Sequence, residues 1–394
     1  MAVRFRSTTE SAPPALLGAA SPTVDTAATW TAGADGSRGA SERTERLKRG
    51  ARRIGALVIG LGLFVTALGV MKAGAQALIP SLQGSIFTDN IWSTLGMGWL
   101  GACIVLSGSP VAASSLTLLD GEAISASQAF TMLTGSRLGA SFVVLVVGFL
   151  YALRRQSGQS RRAPMAIGIL SLTMTMVAYL PGAIIGYLLL TGGHLDGVNL
   201  VAPPGLLSVT DSAFGWAVDL AKDHLPSWGL FPVGVGILLL AFKAFDGALP
   251  QVDSERLEHR SDAWYKKPWA MFLVGCGVAL LTLSVSVALT VLVPLVAKGY
   301  LKREDTLPYI AGANITTLAD TLVAAILLGN PVASRVVLAQ ALGVALWTLP
   351  LILVFYPPVR GFCLQVSRAT LSSRHRLAAF IAVLFTVPVT LIAV

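Results

Sequence analysis

The stretch LFVTALGVMKAGAQALIP, Leu63–Pro80, returns in outline as ILLLAFKAFDGALP, Ile237–Pro250. Each is an apolar run that carries a late lysine, Lys72 or Lys243, followed by Ala-Leu and a proline. Two further motifs follow each run in the same order. Leu106-Ser107-Gly108-Ser109 is answered by Leu283-Ser284-Val285-Ser286, and Gly135-Ser136-Arg137-Leu138-Gly139 by Gly312-Ala313-Asn314-Ile315-Thr316. From Ser107 to Gly135 is 28 residues, and so is the step from Ser284 to Gly312. A shared order with one preserved spacing marks an internal repeat, and a repeat constrains the whole architecture.

The repeat sits in a chain built for lipid. Of its 394 residues 54% are hydrophobic and 12% charged, about half the charge of a soluble domain. Ile54 to Leu78 contains one charge, Lys72, and Ala163 to Leu190 contains none. Such runs exceed the ~20 residues a helix needs to cross a ~30 Å hydrocarbon core. Their Gly and Ala content suits closely packed helices rather than barrel strands. The fold class is an all-α polytopic membrane protein.

The net charge of +9 gathers in short connectors, Arg43 to Arg53, Arg154 to Arg162 and Arg360 to Arg376. The connector Thr191 to Leu230 instead carries Asp196, Asp211, Asp219 and Asp223 against Lys222. Positive-inside bias accounts for this without a nucleic-acid partner and puts the N-terminus in the cytoplasm of a plasma-membrane protein. Walking the spans by charge gives a tail at 1–42, expected to be disordered, and a basic cytoplasmic segment at 43–53. A first repeat with its linking helix covers 54–190, an external segment 191–230, and a second repeat 231–356. A basic segment and a last span cover 357–394. The first lysine-bearing helix runs outward and its counterpart inward, so the repeats are of inverted topology, which lets interrupted helices meet near the midplane. Spans are expected at 137–153, 312–329, 332–356 and 377–394.

On the Gly-Ala-Asn-Ile-Thr-Thr run (Gly312–Thr317) and the serine pairs, the chain resembles the type II sodium–phosphate cotransporter family, over roughly residues 54 to 350. The resemblance implies re-entrant helical hairpins, phosphate or a related anion as substrate, and Na+ as coupling ion, with no other cofactor. The chain departs from that family's pattern. Leu106 and Leu283 stand where the family has glutamines, Gly108 and Val285 where it has middle serines, and Arg137 where it has an asparagine. Phosphate recognition survives these changes more readily than sodium coupling, because a dry sodium site needs the lost oxygens.

The candidate substrate and ion residues are Ser107, Ser109, Ser136, Arg137, Ser284, Ser286, Thr290, Asn314, Thr316, Thr317 and Asp320. Arg137 suits a tetrahedral oxyanion, snorkels to an interface, or pairs with Asp320. Asp320 is a proton or cation site, or Arg137's partner. The serines and threonines line a cavity, or bond the preceding turn or a neighbouring helix. Asn314, Thr316 and Thr317 are expected to open a helix, as ligands or as caps. Lys72 and Lys243 are expected at helix ends. Cys103, Cys276 and Cys363 make neither a disulfide framework nor a metal spacing, and no metal site or enzyme motif emerges. Two functions follow, anion transport or a non-transporting, regulatory protein on the same scaffold.

Overall fold

A computed structural model describes residues 32–82, 85, 90–153, 162–248, 267–282, 284–297 and 301–394. Residues 1–31, most of the basic loop 154–162 and of the loop 251–267, and Leu283 lie outside them. The chain divides into Met1–Ala51 and a compact unit, Arg52–Val394. Helix α1 (Ala32–Leu82) begins inside the segment expected to be disordered.

The described residues include sixteen α-helices and a 3-10 helix at Arg303–Asp305, with no strand among them. After α1 come α2 (Ile91–Val105), α3 (Ser109–Asp120), α4 (Ala126–Ala140), α5 (Phe142–Leu153) and α6 (Arg162–Thr191). Then follow α7 (Pro204–His224), α8 (Ser227–Ala248), α9 (Pro268–Thr282), α10 (Val285–Thr290) and α11 (Leu292–Ala297). The chain ends with α12 (Thr306–Thr316), α13 (Leu318–Leu327), α14 (Pro331–Leu353), α15 (Tyr356–Thr370) and α16 (Arg374–Ala393). Seven helical stretches among the described residues are long and apolar enough to span a bilayer, including Ala126–Leu153 and Arg303–Leu327, each joined from consecutive shorter helices. Helices α2 and α9 are apolar but only 15 residues long, about 22 Å, short of a crossing.

Helix starts differ from expectation where a cap intervenes. The span expected from 137 begins at Ala126, because Ser125 and Gln128 form a reciprocal capping box. The last span begins at Arg374, where Ser373 accepts the Arg376 amide. Asn330 followed by Pro331 opens α14. The span expected from 312 starts at Arg303, so Gly312 lies inside a helix rather than leading one. Asn314 and Thr316 close α12 instead of opening a helix, and Thr317 forms the α12–α13 joint without a side-chain cap bond. The segments 191–230 and 357–376 each contain a helix, α7 and α15.

Close packing repeats at one register. Helix α2 runs from 91 to 105 and α9 from 268 to 282, a constant offset of 177 residues. A Cβ on Gly98 would stand 2.0 Å from the Met132 carbonyl oxygen, and one on Gly275, 177 residues on, 2.1 Å from that of Tyr309. Gly135 meets the Leu95 oxygen at 2.1 Å and Gly312 the Phe272 oxygen at 2.1 Å. Only glycine permits such backbone contact, so α2 lies flush on α4 and α9 on α12. At a third position the two helix pairs differ. Gly139 abuts the Trp99 oxygen, whereas Thr316 donates its hydroxyl to the Cys276 oxygen at 3.1 Å. Helices α6 and α14 cross through Gly182, Gly186 and Gly343, which the Trp347 indole reinforces by donating to the Val177 carbonyl at 2.9 Å.

Candidate transport site at the buried polar centre

Two kinds of helix break occur, each of them twice. The first lies between α2 and α3, where Leu106 adopts a left-handed conformation (φ 56°) unusual for a branched apolar residue. Its counterpart lies between α9 and α10, where the Ser284 side chain accepts the Val287 amide. The two breaks touch, since the Ser286 hydroxyl donates to the Leu106 carbonyl at 3.2 Å. The second kind are the joints at Ser141 (α4–α5) and Thr317 (α12–α13).

Polar side chains converge beside these joints. Arg137, on the last turn of α4, is 2% exposed, the largest of the fully buried side chains. Its Nη2 donates to the Thr321 hydroxyl and lies 3.4 Å from Asp320 Oδ1. That distance is long for a charge-assisted bond. Asp320 Oδ1 also accepts the Thr321 amide at 2.5 Å and its hydroxyl at 2.9 Å. Three atoms of the pair, Arg137 Nε and Nη1 and Asp320 Oδ2, are buried without a partner. Buried polar groups are almost always bonded, so two free donors and one free acceptor at one charge pair form an incomplete site.

Around the pair stands a hydroxyl and amide network. Tyr179 on α6 donates to the Asn314 carbonyl at 2.6 Å, and its hydroxyl lies within electrostatic reach of both Arg137 and Asp320. Asn314 Nδ2 donates to Thr175 Oγ1 at 3.0 Å, which meets Ser141 Oγ at 2.7 Å. Thr134, one turn before Arg137, lies 2.5 Å from Gln340 Oε1 on α14, and Gln340 Nε2 is another unpartnered donor.

Of the residues expected from sequence, Arg137, Asp320, Asn314 and Thr317 belong to this centre, and Ser286 to the junction of the two breaks. Ser107 is half-buried in the first break, and Ser109 is buried at the start of α3. Ser136 and Thr290 bond the preceding turns of their own helices, to Leu133 and Val287. Thr316 fastens α12 to α9. Thr134, Ser141, Thr175, Tyr179, Thr321 and Gln340 were not anticipated. Thr175 and Tyr179 stand four apart on one face of an apolar helix, the spacing that exposes such a pair. A second cluster was also missed. Lys72, expected at a helix end, pairs with Asp120 Oδ2 at 2.8 Å, and Asn330 Nδ2 donates to Asp120 Oδ1 at 3.0 Å.

Among the described residues no group of three or more His, Cys, Asp or Glu side chains could hold a metal ion. No curated protein and no solved structure matches the chain. The Na+/Pi-cotransporter family matches residues 237–387, from within α8 to α16, and so includes the second break, Asn314, Asp320 and Gln340. Proteins of that family are transporters rather than enzymes. Multi-pass membrane helices together with that match are consistent with membrane transport of a phosphate-like anion.

Proposed function

We propose that this protein carries inorganic phosphate, or a similarly small anion, across the plasma membrane, coupled to an ion. The observation that carries the proposal is Arg137, a buried guanidinium with two unpartnered N–H donors at the centre of the fold. Arginine presents donors in a planar fork that fits tetrahedral oxyanions. The domain match over 237–387 supplies the substrate class.

In this reading, 54–190 and 231–356 are inverted-topology repeats, and the 177-residue register of glycine–carbonyl contacts supports their relation. Helices α2–α3 and α9–α11 are the re-entrant hairpins, short of a full crossing, with Ser107, Ser109, Ser284 and Ser286 at their tips. The N-terminus is cytoplasmic, with the basic connectors on the same side. The joints at Ser141 and Thr317 provide the irregular backbone that a membrane interior tolerates only where it is buried or faces a cavity.

The test is uptake of labelled phosphate by proteoliposomes, with the S107A/S284A double variant as a control for the hairpin tips. Uptake above that of empty liposomes, lowered in the variant, is the expected result. Absence of phosphate flux under every cation gradient, with protein that elutes as a folded species, would sink the transport reading and leave the non-transporting scaffold.

A further inference from the structure

We propose that the coupling ion is a proton, carried on Asp320, and that its arrival releases Arg137 to hold the anion; this inference rests on the transport reading above. Arg137 and Asp320 are 2% and 7% exposed. An interior of low dielectric holds them because they cancel. An anion entering beside Arg137 would leave a net negative charge unless a positive one enters with it. A proton on Asp320 restores the balance. Arg137 then pairs with the anion, the carboxyl is neutral, and the loaded centre again carries no net charge. The empty centre is balanced by the ion pair itself, so both states can cross between the two faces without exposing a net charge to lipid.

The geometry favours a proton over a metal cation. A proton needs one free lone pair, and Asp320 Oδ2 is a buried carboxylate oxygen with no partner. A bare alkali cation needs several oxygens at once, whereas Asp320 Oδ1 is already taken by Thr321 and Arg137. At the two breaks, serine hydroxyls are the side-chain oxygens on hand, because Leu106, Gly108, Leu283 and Val285 add none, and Ser284 and Ser286 are already bonded to the Val287 amide and the Leu106 carbonyl. The long 3.4 Å contact to Arg137 is the one that would part. Thr321 stays bonded to either partner, its hydroxyl being shared between Arg137 Nη2 and Asp320 Oδ1.

Neighbouring charges do not compete for this role. Of the elements packed on α13, α3 ends in Asp120, held by Lys72 and Asn330. Helix α14 carries Arg335, paired with Asp196 at 3.0 Å, and α12 carries Tyr309, which donates to the Ala288 carbonyl. Arg137 on α4 lies 3.4 Å from Asp320, and Tyr179 on α6 stands within electrostatic reach of it.

The experiment uses full-length protein in sodium-free proteoliposomes, with labelled phosphate and two separately imposed gradients. One is an inside-alkaline pH gradient at zero potential. The other is an inside-positive potential, set with potassium and valinomycin, at equal pH. A carrier of one proton with one monoanion is electroneutral. The wild type is therefore expected to accumulate phosphate under the pH gradient, about tenfold per pH unit at the limit, and to ignore the potential. In D320N no proton is carried, so whatever flux remains should follow the potential instead.

Accumulation by the wild type under a sodium gradient at equal pH overturns the proposal, as does accumulation driven by potential. Phosphate exchange with neither driving force also overturns it while leaving transport intact. No exchange at all brings down the transport reading and this one together. Binding to purified protein guards against a D320N variant that fails to fold. Phosphate affinity of the wild type should fall with rising pH more steeply than phosphate speciation alone requires. D320E, which keeps a carboxylate, should retain that slope. A slope equal to speciation alone in the wild type refutes the assignment.

Discussion

Removing one member of the Arg137–Asp320 pair should cost far more than removing both. In R137M the guanidinium leaves, and Asp320 keeps only the Thr321 amide and hydroxyl on Oδ1, with Oδ2 bare. Breaking a buried ion pair by truncating one partner costs about 3–5 kcal/mol. The 3.4 Å contact is longer than a strong charge-assisted bond. That places R137M near the lower end, about 3 kcal/mol, or roughly a 150-fold fall in the folded-to-unfolded ratio. D320L should cost as much or more, because it leaves Arg137 buried with Thr321 alone. In R137M/D320L neither charge remains, and two apolar side chains of similar reach fill the space. That variant should return to within about 1 kcal/mol of the wild type. The assay is denaturant unfolding in micelles followed by intrinsic fluorescence of the eight tryptophans, analysed as a double-mutant cycle. Additive single costs, or single costs below about 1 kcal/mol, would show that the two charges do not share one buried site.

The glycine contacts can be tested inside one helix. G275A drives a Cβ to within 2.1 Å of the Tyr309 oxygen and should abolish monodisperse protein in detergent chromatography, whereas G277A meets nothing within 4 Å and should be neutral or stabilising by up to ~1 kcal/mol. S125A removes half of the capping box at the start of α4 and should lower stability by about 1 kcal/mol. Burial pushes the Cys363 thiol up to about 12, so it stays protonated at pH 8. In a C103S/C276S background, maleimide should label Cys363 only after denaturation, and rapid labelling of the folded protein would show that α15 does not cover it.

Much of the architecture was written in residue order because lipid punishes exceptions. Long uncharged runs such as 163–190 have no alternative to a spanning helix. Helix limits were less legible, since Ser125, Ser373 and Asn330 set them through local hydrogen bonds that hydropathy does not weigh. Helix α15 was read as a basic connector because its arginines outweighed Pro357-Pro358, which open a helix at its first turn. At the centre, the Arg137–Asp320 pairing was one of three alternatives for Arg137. Choosing among them needs the joint at Thr317 to place α13 against α4. Gln340 and Tyr179 went unremarked because one amide in α14 and one phenol in α6 look like isolated exceptions until the fold stacks them.

The 183 residues separating Arg137 from Asp320 also set a timetable during synthesis. The chain grows from its N-terminus at about 5–20 residues per second, so Arg137 is in place some 10–40 s before its carboxylate is made. During that interval the α4–α5 span, uncharged elsewhere, carries a lone cation, and a cation at mid-bilayer costs about 3 kcal/mol on insertion scales. The glycine-lined contact with α2 is available throughout, because every residue that makes it precedes residue 140. The first half is thus delivered as a closed helix pair holding an uncancelled charge. Asp320, on α13, is the carboxylate that neutralises it in the folded protein.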